Sequence, residues 1–299
     1  MRMGEEFLST GNSRVRLKCT MGSGRSEIVR FHGRGFLVDK FSLIGLVLGM
    51  FAIFGGAVME GVHLTSILIP TAAIIVFGGT IGAILLQSSS EEIHDAKTLA
   101  GCVFKEKHTD TGKLVEEIVE LSKIARRDGM LALESKLHDI KHPFLVTALG
   151  MLIDGVNAEE LRSRLEVAME KTEEKFQNAA RVFEAGGGYA PTVGILGAVL
   201  GLIHVMGSLD DPSKLGPGIA VAFVATIYGV AFANLICLPI AGKLKARMRT
   251  EAGESGLVVE GVVGMANGQA SSALEQTLKL MLGEESHGKK GDAASKQAA

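Results

Sequence analysis

The sequence predicts an all-α membrane protein with four transmembrane helices in two hairpins. A large helical cytoplasmic domain is expected between helices 2 and 3, and a cytoplasmic C-terminal helical tail after helix 4. Three observations predict this. First, residues 41–59, 61–86, 185–209 and 215–242 contain no Asp, Glu, Lys or Arg, while the rest of the chain holds all 31 basic and 33 acidic residues. Second, these stretches run from 19 to 28 residues, enough to cross about 30 Å of hydrocarbon at about 1.5 Å per helical residue. Third, the polar segments place apolar residues at helical spacing, and none shows the alternation of a strand.

Composition narrows the class further. The chain has 299 residues, of which 47% are hydrophobic, and its mean hydropathy is +0.29, high for a protein with so many charges. A net charge of −2 argues against a dedicated nucleic-acid binder, which is usually basic. The three cysteines are an odd number and Cys237 lies inside the fourth apolar stretch, which excludes a disulfide scaffold; Cys19 and Cys102 are expected in a reducing compartment. The aqueous segments hold no arranged nucleophile or metal cluster, so an enzyme is the weakest reading. Gly22-Ser23-Gly24-Arg25-Ser26 looks superficially like a phosphate loop but lacks the Gly-Lys-Ser/Thr ending and a preceding strand.

In chain order, residues 1–37 form a polar head rich in Gly, Ser and Arg with no apolar core of signal-peptide length. Residues 38–86 form the first hairpin, with helix 1 at about 41–60 and helix 2 at about 66–86; the connection at Glu60–Ser66 is too short for a domain. Residues 87–189 form the cytoplasmic domain. There Leu114, Ile118, Leu121 and Ile124/Ala125 make an apolar helical stripe that Asp128-Gly129 breaks. Met130–Ile140 is expected to form a second short helix, and His142-Pro143 interrupts again. Asn157 with Glu160 marks a helix start, and that helix is expected to run to about Glu184, where Gly186-Gly187-Gly188 separates it from helix 3. Residues 190–242 form the second hairpin, with helix 3 at about 190–209 and helix 4 at about 217–241. Residues 243–283 are cytoplasmic helices, and 284–299 a low-complexity tail expected to be disordered.

Orientation follows from Lys and Arg. Residues 87–184 carry 14 of them, and Lys243, Lys245, Arg247 and Arg249 follow helix 4, while the two short loops share only Lys214. The positive-inside rule therefore places both termini and the large segment in the cytoplasm; the resemblance given below implies the bacterial inner membrane.

Small residues recur at four-residue spacing in the apolar stretches: Gly45 and Gly49, Gly78 and Gly82, Gly197 and Gly201, Gly229 and Ala233. They allow close helix approach, either within one subunit or between subunits. No stretch carries a carboxylate, Lys or Arg, so an ion carrier built from this chain needs a titrating group from a partner. His204 is the one deep histidine and reads as a packing residue; His63 lies at the outer edge and reads as solvated. Pro191 and Pro239 mark either helix boundaries or a hinge level shared by helices 3 and 4. Thr226 either bonds back to its own helix or lines a pore.

Five segments together resemble one family. Val38-Asp39-Lys40 leads into Ser42–Gly49, and Phe77-Gly78-Gly79-Thr80-Ile81-Gly82-Ala83 ends helix 2. Ala125–Glu134, Ala190-Pro191-Thr192-Val193-Gly194 through His204, and Val224–Gly229 with Leu238-Pro239-Ile240 follow in order. The set is similar to the MotA-type subunit of the bacterial flagellar stator, in the MotA/TolQ/ExbB proton channel family, over about residues 38–282. The three-span energisers of TonB and Tol systems in the same family lack the first hairpin, which favours the flagellar branch; an ExbB/TolQ-type energiser of outer-membrane transport and a non-conducting scaffold are the alternatives.

The resemblance implies a homo-pentamer around a dimer of a MotB-type, peptidoglycan-anchored partner that supplies the membrane aspartate. It implies torque on the rotor through the switch protein FliG, with Arg126 and Glu134 as rotor-contact positions; without the motif this pair would read as a solvated surface. It implies that Pro191 and Pro239 couple ion flow to movement and that Thr226 lies near the ion path. No cofactor is implied, and the proton motive force drives the cycle. Sodium-driven relatives tend to carry threonine at the positions of Ala198 and Ala225; methyl groups give a dehydrated sodium ion no ligand, so protons are expected. The family starts near Val38, so residues 1–37 are expected to be a disordered extension or a misplaced start.

Overall fold

The computed structural model describes residues 40–101, 103, 110–207, 209–210 and 212–283. The expectations for residues 1–37, for 284–299, for the run Gly22–Ser26 and for Cys19 and Cys102 lie outside the described residues. All regular elements among the described residues are helical.

Helix α1 is Lys40–Met59. A 3-10 turn at Leu64–Ser66 leads into α2, Pro70–Gln87, which contains a π segment at Ile74–Gly78. Helix α3, Ser90–Ala100, starts in a capping box: the Ser89 hydroxyl accepts from the Glu92 N–H, and the Glu92 carboxylate accepts from the Ser89 N–H. Helix α4, Thr111–Asp128, is capped by Asp110 and ends at Gly129, whose φ of 88° is open to glycine at little cost. A 3-10 turn, Met130–Lys136, follows. Helix α5 is Pro143–Ile153, and α6 is one helix of 49 residues, Ala158–Met206, with Asn157 accepting from the Glu160 N–H. Helix α7 joins Pro212–Ala231, a π segment at Phe232–Cys237 and Leu238–Ala266; α8 is Ser271–Met281.

Three buried clusters hold the helices together, and the first two succeed one another along α6. The first packs Leu161 and Leu165 of α6 with α4, α5, the far end of α7, and α8. Every residue of the predicted α4 stripe contributes to it: Leu114, Ile118, Leu121 and Ala125 are buried, and Ile124 packs at its edge. The second places Phe176, Ala179 and Ala180 of α6 against Ala96 of α3 and Leu244 of α7. The third joins Ile67, Ala72 and Val76 of the first hairpin to Val224 and Ala225 of α7. Ion pairs brace the polar length of α6 against α7, at 2.7 Å for Arg162 with Glu260 and 2.5 Å for Lys245 with Glu184.

Among the described residues, three helices are long and apolar enough to cross a membrane: Pro70–Gln87, Ala158–Met206 and Leu215–Ala266. Leu43–Met59 of α1 is a shorter apolar helix of 17 residues.

Two local expectations are corrected. Gly186-Gly187-Gly188 does not separate two helices, because α6 runs through them without a break. Each internal glycine costs about 1 kcal/mol relative to alanine, but these admit a neighbour: a Cβ on Gly186 would stand 3.1 Å from the Cys237 sulfur, and one on Gly187 would clash with the Leu238 side chain. Residues 130–140 do not form a second α-helix either. Met130–Lys136 instead forms a 3-10 turn, which buries Leu133 and leaves Leu131 and Glu134 outside.

Candidate functional site

The site is built where α6 crosses α7. A Cβ on Gly194 would lie 2.9 Å from the Ala225 carbonyl oxygen, and one on Gly201 would lie 2.9 Å from the Ala222 nitrogen. Gly229 faces the Ala190 carbonyl at still closer range. The small residues thus place two backbones in direct contact, the within-subunit use of the four-residue spacing for Gly197, Gly201 and Gly229. Gly45, Gly78 and Gly82 differ, since a Cβ on any of them would meet nothing within 4 Å in this chain.

The crossing assigns a task to each face of α7. Ala222, Ala225, Thr226 and Gly229 lie against α6. Val221, Val224 and Tyr228 lie against the first hairpin. Phe223, Ile227 and Val230 are exposed, as are Ile195, Leu196, Val199 and Ile203 of α6.

Pro191 sits inside α6, half-buried, and Pro239 sits in α7 directly after its π segment, exposed. Proline in a helix interior removes one bond and crowds the carbonyl four residues earlier. For Pro191 that carbonyl belongs to Gly187. For Pro239 the relief comes from the wider π turn of Phe232–Cys237. Near the two prolines the helices pack closely, because Gly186 and Gly187 of α6 receive Cys237 and Leu238 of α7.

Thr226 is half-buried and its hydroxyl donates to the Ala222 carbonyl at 3.3 Å, a bond back to its own helix. Ala198 is half-buried, and Ala225 is fully buried against Gly197. His63 and His204 are both exposed, so His204 is not the enclosed packing residue expected of it; it lies in the last turn of α6, over Gly218.

At the far end of the chain's long axis of helices, Arg126 in the last turn of α4 and Glu134 on the 3-10 turn are both exposed. Neither forms an ion pair among the described residues, while their neighbours Arg127 and Asp128 pair at 2.7 Å. That hydrogen bond holds the Asp128 carboxyl below its ordinary range. Arg126 and Glu134 are thus charged groups left to solvent beside the exposed Leu131.

Two groupings escaped the sequence reading. The Tyr228 hydroxyl donates to the Ile67 carbonyl at 2.6 Å and accepts from the Ile69 N–H at 3.4 Å. Its ring stacks on Phe77 at 5.8 Å, and Phe77 meets Phe232 edge-on at 5.2 Å. In the polar domain His142 and Glu254 are buried together, with Nε2 and Oε2 3.3 Å apart. A polar aromatic in an apolar stretch was a signal for the first; a histidine before proline at a helix start was one for the second.

Comparison with known proteins agrees along the chain. Residues 136–255 match the MotA/TolQ/ExbB proton channel family, and residues 43–129 match the motility protein A N-terminal family. The chain is 37% identical over 246 residues to motility protein A of Bacillus subtilis (strain 168), covering 82% of this chain and 91% of that one. It is 33% identical over 252 residues to chemotaxis protein PomA of Vibrio alginolyticus, covering 83% and 96%. Among solved structures it resembles a chain of C. jejuni MotAB with a TM-score of 0.76, at 31% identity over 81% of this chain and 95% of that one. It also resembles a chain of the flagellar MotAB stator complex from Bacillus subtilis with a TM-score of 0.75, at 37% identity over 82% and 96%.

Proposed function

The chain belongs to the MotA/TolQ/ExbB proton channel family, and from that premise we propose that it is the ion-conducting, torque-generating subunit of a bacterial flagellar stator. One observation carries this reading over an energiser of outer-membrane transport: residues 43–129, which hold the first hairpin, match the motility protein A N-terminal family.

Four spans follow from this reading. Helix α1 has 20 residues, about 30 Å of helix and sufficient for the hydrocarbon layer. Helix α2, the C-terminal part of α6 and the N-terminal part of α7 supply the other three. The Lys and Arg residues beyond the span ends support a cytoplasmic polar helical domain and cytoplasmic termini.

The spans carry no carboxylate, Lys or Arg, so the carrier is supplied by a MotB-type partner; the solved chains that this one resembles come from MotAB complexes. The exposed apolar faces of α6 and α7 provide surface for that partner and for further copies of the chain, five around a partner dimer. The outward faces of α1 and α2 meet lipid. Protons are the coupling ion, because Ala198 and Ala225 offer methyl groups where a sodium path needs oxygen. One charge crossing 100 mV releases about 2.3 kcal/mol. Pro191 and Pro239, near the close packing of Gly186 and Gly187 against Cys237 and Leu238, form the level at which the crossing changes geometry, and Thr226 lies on the ion side of it.

Arg126 and Glu134 are the rotor-facing charges, acting on FliG. Arg126→Glu is expected to reduce swimming strongly while leaving the amount of subunit in the membrane unchanged, since exposed substitutions shift stability by about 0.5 kcal/mol or less. Swarm diameter set against membrane immunoblot measures this; swimming at the parental rate would remove Arg126 from the contact.

Deletion of the gene tests the whole reading. Paralysed cells with intact filaments are expected, because the motor is built but unpowered. Swimming deletion cells from a host with no second stator pair would overturn it.

A further inference from the structure

Helix α2 begins without a side-chain cap of its own. Its N-cap residue is Ile69, and Pro70 occupies the first turn. The approach to it, Ile67–Ile69, is closed by a tight turn in which the Ile69 N–H reaches the Ile67 carbonyl at 3.1 Å. The group that completes this terminus comes from α7. The Tyr228 hydroxyl donates to the Ile67 carbonyl at 2.6 Å and accepts from the Ile69 N–H. In an apolar layer such backbone groups have no water to turn to, so a side chain serving both is held firmly.

The position of Tyr228 on its helix gives this bond a consequence. At about 100° per residue, Tyr228 and Thr226 point to nearly opposite sides of α7. Thr226, with Ala222, Ala225 and Gly229, lies on the side that meets α6, whereas Tyr228, with Val221 and Val224, meets the first hairpin. A hydrogen bond at Tyr228 therefore fixes both the height and the rotation of α7, and so the direction in which Thr226 faces. The ring adds to this, since Phe77 of α2 stacks against it and Phe232 closes the row. Rotation of α7 by one side-chain width would break the bond to Ile67 and move Thr226 off α6 together.

We propose that Tyr228 is a positioning residue for ion-driven torque: its hydroxyl, tied to the Ile67–Ile69 backbone, holds α7 in the rotation that presents Thr226 to the ion path. This rests on the stator reading given above.

The test uses the full chain with its partner in the native motor, with stator units added one at a time by induction and the torque gained per unit read as the height of each speed step. Tyr228→Phe keeps the ring and its stacking and removes only the hydroxyl. It is expected to leave the number of steps unchanged and to lower their height about two-fold or more, the effect of one lost hydrogen bond on a conformational balance. A merely structural role would lower the number of units, not the torque of each. Phe77→Leu removes the stacking partner and leaves the hydroxyl in place; its step height should fall less than that of Tyr228→Phe.

Steps of parental height in Tyr228→Phe would overturn the proposal, as would an equal fall in Phe77→Leu or a failure of Tyr228→Phe to accumulate in the membrane. Thr226→Ala, measured alongside, separates the two levels. If it lowers step height and Tyr228→Phe does not, only the positioning role fails. If Thr226→Ala has no effect, the ion-path reading of Thr226 fails and the proposal with it.

Discussion

Glu254→Ala should destabilise the polar helical domain by about 1–3 kcal/mol, the usual cost of leaving a buried donor without its acceptor. Glu254 and His142 are among the least exposed polar residues described, at 2% and 8%. The Nδ1 of His142 accepts from the Leu145 N–H at 3.3 Å and so caps α5. With Nδ1 engaged as an acceptor, Nε2 carries the ring proton and donates to the Glu254 carboxylate. Alanine at 254 would leave that N–H without its acceptor and open a void between α5 and α7. Urea unfolding of the detergent-solubilised full chain measures the loss. Adding His142→Leu to Glu254→Leu should recover much of it, since an apolar pair of similar bulk satisfies the same space; a difference under about 1 kcal/mol between parent and Glu254→Ala would count against the pair. Glu117 of α4 joins the same neighbourhood. Burial pushes its carboxyl above the ordinary range, and the charge of Lys141 opposes that rise. A raised carboxyl favours the folded chain at acid pH and loses that contribution as pH climbs through the raised value.

Gly229→Leu should have a comparable effect in the apolar layer, by a different route. The atom that a Cβ there would meet is the Ala190 carbonyl, a backbone group that cannot swing aside. Overpacking costs about 1–3 kcal/mol where side chains can adjust, so a backbone obstacle should exceed the upper figure and separate α6 from α7. Gly82→Leu is the matched control, because a Cβ on Gly82 meets nothing within 4 Å in this chain. Thermal melting of the isolated subunit in detergent should show a large drop for the first and little change for the second. Equal melting temperatures would mean that the crossing tolerates separation.

Periodic features were legible in the sequence and contextual ones were not. The α4 stripe, the Asn157 start and the apolar stretches each repeat a local rule over many residues, so no distant partner is needed to recognise them. Gly186-Gly187-Gly188 misled because a glycine run ends a helix where water can take the freed backbone groups. Here Cys237 and Leu238 pack against it, and ending the helix would expose more than continuing it costs. The short turn at Met130–Lys136 escaped because a helical pattern of that length fits a 3-10 turn equally well. The Tyr228 bond to Ile67 joins residues 161 apart, and the His142–Glu254 pair joins residues 112 apart; neither distance leaves a mark in local spacing. Arg126 and Glu134 stood out only through the motif around them, since an exposed charge on a polar helix has no physical signature of its own.

The unbroken course of α6 has a mechanical consequence. From Pro191 back to Ala158 the helix has no joint, a shaft of about 50 Å at 1.5 Å per residue. A tilt of about 5° at the proline level would swing its far end by about 4 Å, more than the length of a hydrogen bond. A segmented chain with a hinge at the three glycines would absorb that tilt where it began. A continuous rod instead carries it undiminished to the far end of α6, where Leu161 and Leu165 pack with α4.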